Sequence, residues 1–156
     1  MNIIGIDPGV TGAVAIISRS GVGLYDTPTA LVKVGKTART EYMPAEMAAL
    51  LRGERNAHVF IEKVGAMPGQ GVTSMFGFGK GFGLWLGILS ALEIPYTLVT
   101  PQAWKKLMMS GMADKDAART RAQQLFPGAA AALSRKKDIG RADALLIAEY
   151  GRRTLG

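Results

Sequence analysis

Asn2-Ile3-Ile4-Gly5-Ile6-Asp7-Pro8-Gly9 is a nearly continuous apolar run that closes on one acid and a turn. A run this short, apolar on both faces and punctuated by Pro-Gly, reads as a central strand with layers on either side. Residues 13–17 follow as a second strand joined through a hairpin, and residues 21–25 as a third. Residues 57–62, ending in Glu62, and residues 96–99 read as a fourth and a fifth. Pro44 suits the first turn of a helix carrying Met47, Leu50 and Leu51. Further helices are expected around 84–92, after Thr100-Pro101, over 115–126 behind an Asp114 cap, and over 142–153. Residues 27–40 and the glycine-rich 65–79 read as loops. The order predicts an α/β fold: a five-stranded mixed sheet, its first three strands antiparallel, flanked by helices.

Composition narrows the chemistry. The chain has 156 residues, no internal repeat and no linker, which suits one domain over 1–156. With no cysteine and one histidine, His58, thiolate nucleophiles, disulfides and zinc cages fall away. The net charge of +7 is uneven: residues 1–62 hold six basic and six acidic residues, residues 63–156 thirteen and six. Such a basic half favours a polyanion, with nucleic acid ahead of a membrane surface. The uncharged run 81–92 is too short to span a bilayer, so no membrane partner is expected. Asp7 interrupts the N-terminal apolar stretch, so no secretory signal is expected either.

Two motifs are decoys. Residues 30–37 fit a loose Walker A pattern with Ala30 in place of the first glycine, but no strand-to-helix context surrounds it. Lys80-Gly81-Phe82-Gly83 begins like an RNA-recognition strand, yet the later stacking aromatic is missing. The acids say more. Alone, Asp7 is a turn residue and Glu62 a solvated strand end. Asp143 opens an apolar helix, where an unpaired carboxylate is costly, and Asp138 lies just before it. If the first and fourth strands are neighbours, Asp7 and Glu62 approach one another at one end of the sheet. Like charges gathered there call for a divalent cation, and oxygen-only ligands favour Mg²⁺ or Mn²⁺. A pair of such ions, about 3.5–4 Å apart, suits phosphodiester hydrolysis.

Several segments resemble, in order along nearly the whole chain, the RuvC family of Holliday junction resolvases. They are Ile4-Gly5-Ile6-Asp7-Pro8-Gly9 with Thr11-Gly12-Ala13, Ile61-Glu62, Val99-Thr100-Pro101-Gln102-Ala103-Trp104-Lys105-Lys106, Ala113-Asp114-Lys115 and Arg141-Ala142-Asp143-Ala144. The ending around Lys136-Lys137-Asp138 and Gly140-Arg141, with Phe82–Trp85, is closer to the phage-like and plant chloroplast branch. The resemblance implies an RNase H-like fold, a homodimer, and Mg²⁺- or Mn²⁺-dependent paired nicking of four-way DNA junctions, with two ions per site and no organic cofactor. It puts Asp7, Glu62 and Asp143 on metal-binding positions, and Lys105 or Lys106 and Lys115 on basic positions serving the DNA or the chemistry. One departure stands out. The family places Asp or His three residues before the last acid, and here that residue is Gly140. Asp138 is the nearest acid and is expected to supply the missing metal ligand from the preceding loop.

The family also places a junction-wedging loop after the second acid. Met67, Phe76 and Phe78 are its apolar candidates here, the two Phe also suiting a helix core. Lys33, Lys36, Arg39, Lys80, Arg135, Lys136 and Lys137 are candidate phosphate contacts, or otherwise solvated surface charges. The expected activity is that of a crossover junction endodeoxyribonuclease in DNA recombination and repair. The expected location is the cytoplasm, at a nucleoid or in a phage-infected cell, with an organelle left open. The alternatives are an RNase H-like nuclease for structured RNA and a non-catalytic protein that binds junctions or bent DNA. An actin-like ATPase shares the Gly-Ile-Asp-x-Gly-x-Thr loop but needs about twice this length.

Overall fold

The computed structural model describes residues 1–114 and 116–156. Strands β1 (Asn2–Asp7), β2 (Ala13–Ser18), β3 (Gly21–Asp26), β6 (Ala57–Glu62) and β7 (Tyr96–Val99) form one sheet in the order β3-β2-β1-β6-β7. The first three run antiparallel, while β6 and β7 join parallel to β1 and to each other. The five strands and their mixed sense are those expected. Residues 27–40, expected as a loop, instead build most of a separate hairpin of β4 (Thr29–Val34) and β5 (Thr37–Tyr42). Its turn is made by Gly35, whose φ of +63° lies in the left-handed region that glycine enters freely.

Strand alternation splits the core in two. Ile4, Ile6, Val59 and Ile61 face α1 (Pro44–Leu51) and α2 (Val72–Ala91), where they bury Met47, Leu51, Trp85 and Leu89. Ile3, Ala13, Ala15 and Phe60 face α3 (Pro101–Met108), α4 (Ala117–Leu125) and α5 (Ile139–Leu155). Short 3₁₀ turns at Pro127–Leu133 and Lys136–Asp138 lead into α5. α5 runs close over β1 because the residue beneath it is Gly5. A Cβ there would collide with the Ala144 carbonyl oxygen and the Ala148 backbone. Ala144 and Ala148 complete the small-residue seam on the helix side.

α2 departs from its expected form in two ways. It starts at Val72, twelve residues earlier than expected, so Phe76 and Phe78 stand on a helix and not in a loop. It is also not a buried helix. Gly81, Trp85 and Leu89 form one buried stripe, and most of the rest is solvent-facing. By length and composition it is long and apolar enough to cross a membrane, but that stripe commits it to the sheet.

Candidate active site

Period-two alternation sets the first two acids. Asp7 continues the Ile3-Gly5 parity of β1, and Glu62 the Phe60 parity of β6, so both side chains leave the sheet on the α5 face. The parallel register pairs Ile6 with Ile61, which sets Asp7 and Glu62 side by side at the carboxyl ends of their strands. Asp143 reaches the same place from the second turn of α5, brought down by the Gly5 seam. Ligands of open α/β sheets gather at this end.

The three acids act on one another. Burial, then Asp143 and Glu62, push the Asp7 carboxyl well above the ordinary range, and Lys105 works against the rise. Burial and then Glu62 raise Asp143 to about 7, again opposed by Lys105. Two half-buried carboxyls that resist ionisation beside a third acid, with one lysine in range, form a site short of positive charge. Their hard oxygen donors, without sulfur or imidazole, suit Mg²⁺ or Mn²⁺. Among the described residues no group of three or more His, Asp or Glu side chains is drawn together into a ready-made metal cage.

α3 provides what the sequence reading missed. Thr100 caps it by accepting the Ala103 amide at 3.2 Å, and Pro101 fills its first turn. That start turns Trp104 fully inward, where its indole Nε1–H donates to Glu62 Oε1 at 2.8 Å. Lys105 stands at the rim, its Nζ 5.4 Å from the centroid of the Trp104 ring. Of the two candidate lysines, Lys105 is the one whose charge acts on Asp7 and Asp143. Lys115 lies outside the described residues. Tyr42, at the end of β5, is a second residue missed: burial and then Asp7 raise its phenol, and its hydroxyl donates to the Gly77 carbonyl at 3.0 Å.

Asp138 is engaged elsewhere. Its carboxylate accepts from Arg135 Nη2 at 2.8 Å and from the Arg135 amide at 2.9 Å, with Arg141 Nη1 at 3.9 Å. These partners hold it below the ordinary carboxylate range, Arg135 foremost. It ties down the start of α5 and does not figure among the charges acting on Asp7 or Asp143. Gly140 offers no replacement, since a Cβ there would meet the Thr11 carbonyl oxygen. The structure therefore brings together three of the four expected acids.

No family model matches the chain. Over 92 residues it is 36% identical to the chloroplastic Holliday junction resolvase MOC1 of Chlamydomonas reinhardtii. That stretch is 58% of this chain and 10% of MOC1, so the chain spans about a tenth of the length of the curated relative it matches. Solved structures cover far more. Thermus thermophilus RuvC matches with a TM-score of 0.57 at 16% identity, over 99% of this chain and 96% of that one. T. thermophilus RuvC in complex with a Holliday junction substrate matches with a TM-score of 0.62 at 19% identity, over 99% and 94%. The chain has the RuvC fold.

The residues expected to touch DNA are spread over several elements of this RuvC fold. A groove of about 350 Å³ runs between the β1–β2 turn (Val10, Thr11), the end of β5 (Arg39 to Tyr42) and the first turns of α2 (Thr73 to Phe78). Phe76 and Phe78 line it and are exposed, so they are not core residues. Met67 is exposed in the loop before α2. Arg39 and Lys80 converge on Glu41, at 2.6 and 3.0 Å, and Arg135 is held by Asp138. Lys33, Lys36, Lys106, Lys136 and Lys137 are exposed and make no ion pair among the described residues. A larger hollow of about 740 Å³, edged by Asn2, Ser18 and Glu54, sits at the far end of the sheet, remote from the acids.

Proposed function

We propose that residues 1–156 form one nuclease domain of the RuvC type, which resolves four-way DNA junctions by paired symmetric nicks. The observation that carries this reading is the convergence of Asp7, Glu62 and Asp143 at the carboxyl ends of β1 and β6, with Lys105 as the charge that reaches them. Asp7, Glu62 and Asp143 would hold two Mg²⁺ or Mn²⁺ ions. When bound, such ions would supply Lewis-acid activation of the attacking water and stabilisation of the leaving oxygen. The chain supplies the rest. Lys105 balances charge on the phosphate, and Trp104 fixes the Glu62 carboxylate in one orientation. Phe76 and Phe78 give unpaired bases an apolar wall beside the site. Exposed Lys33, Lys36, Lys136 and Lys137 steer and anchor the phosphate backbone.

A junction offers two equivalent cleavage points, and a two-fold dimer would supply two equivalent sites. α2 supports that assembly, since Gly79, Gly83 and Gly87 are exposed one helical turn apart, on a face a second helix can approach closely. The MOC1 relative is chloroplastic, and an organelle location for this chain is in keeping with it.

Asp7→Asn tests the assignment of the acids. In Mg²⁺ the variant should leave a synthetic four-way junction uncut, while in Ca²⁺ it binds the junction about as well as wild type. Cleavage at the wild-type rate would remove Asp7 from the site.

A further inference from the structure

The chain has two tryptophans, and both are fully buried. Trp85 lies beneath the sheet with its indole N–H unpartnered, so its role is packing. Trp104 differs in the one respect that matters for chemistry. Its N–H is spent on Glu62 Oε1 at 2.8 Å, a bond from a fully buried ring to a half-buried acid of the site. The face of the same ring carries the Lys105 ammonium at 5.4 Å. One rigid side chain thus orients an acid of the site and seats its cation. Trp104 itself is fixed by the Thr100 cap and by the packing of α3 against α5. A carboxylate held by one oxygen can turn only about that bond, which leaves Oε2 as the oxygen it presents.

We infer that Trp104 is a positioning residue, which presents the Glu62 carboxylate to the metal ions and Lys105 to the phosphate. The inference rests on the reading of the three acids as metal ligands. Removing a hydrogen-bond partner behind a metal ligand costs about 10–100-fold in metal affinity.

Trp104→Phe keeps an aromatic ring and removes the N–H, and Trp85→Phe is its matched control. In calorimetric titration with Mn²⁺ alone, Trp104→Phe should bind about 10–100-fold more weakly than wild type, while Trp85→Phe binds as wild type does. Equal losses in both variants, or no loss in Trp104→Phe, overturn the assignment. A second measurement needs no variant. Titrating the wild-type chain with Mg²⁺ should move the Trp104 indole N–H resonance and leave that of Trp85 in place. A stationary Trp104 signal overturns the proposal even if Trp104→Phe fails to fold. Wild-type chain that shows this Trp104 dependence yet leaves the junction uncut would fail the resolvase reading alone. Wild-type chain that takes up neither ion overturns both.

Discussion

Asp143→Asn should raise the melting temperature of the metal-free chain at pH 8 and abolish junction cleavage. The folded chain raises the Asp143 carboxyl from 3.8 to about 7, through burial first and Glu62 second. Between these values the folded state holds a proton that the unfolded state has released. Stability from this group is therefore greatest below about pH 4 and declines as the pH rises to about 7. A displacement of that size corresponds to at most roughly 4 kcal/mol. Residual exposure of the carboxyl and its coupling to Glu62 reduce this to roughly 1–3 kcal/mol. For about 150 residues that is a gain of roughly 3–10 °C at pH 8. Near pH 4 the two chains should melt close together, because Asp143 is then neutral in the folded chain and only about half ionised in the unfolded one. Melts in chelator at pH 4, 6 and 8 check the sign, and a variant no more stable than wild type at pH 8 would show that the carboxylate is not strained. Mg²⁺ should stabilise wild type and have less effect on the variant, which has lost a ligand.

Gly140→Asp should cripple the chain, although it restores an acid at the position where the family carries one. The Gly140 Cβ would run into the Thr11 carbonyl oxygen and the Gly12 Cα, which are backbone atoms of the turn after β1. Neither they nor the helix can yield without moving Asp143 away from Asp7. Overpacking of this kind costs about 1–3 kcal/mol, and a buried charge beside Asp138 adds to it. The expected result is a melting temperature lower by at least about 4 °C, with weaker cleavage. Gly140→Ala separates size from charge and should already show most of the loss. If Gly140→Asp folded as well as wild type and cut faster, α5 would not be locked against the turn.

These two residues also mark where sequence reading succeeds and where it stops. The apolar alternation of β1 and β6 places Asp7 and Glu62, and that pattern is visible in the order of residues alone. Asp143 is legible as a carboxylate in an apolar helix. The close approach at Gly140 is not, because it joins residues 11 and 140 through tertiary packing. Asp138 reads as a free acid in one dimension, since only the turn at Lys136–Asp138 wraps Arg135 around it. The β4–β5 hairpin is obscured by its basic residues Lys33, Lys36 and Arg39; the apolar Leu31, Val32 and Val34 of β4 stay exposed, so mutual pairing and the buried Tyr42 hold its strands. The start of α2 was hidden by its glycines, each worth about 0.5–1 kcal/mol against a helix. Gly81 is kept there by Tyr42, whose ring fills the space a Cβ would need. Trp104 stood in plain view within the motif, but a tryptophan in a helix ordinarily means core, and only its N–H partner separates it from Trp85.

The most direct measurement is cut-site mapping on a mobile four-way DNA junction, titrated with Mg²⁺, beside linear DNA duplex and RNA duplex of the same sequence. Paired, symmetric nicks confined to the junction, absent without the ion and leaving 5′-phosphate and 3′-hydroxyl ends that a ligase seals, are the expected result. Equal cutting of the linear duplex, preferential cutting of RNA, or tight junction binding with no cutting at any ion concentration would contradict a metal-dependent junction resolvase.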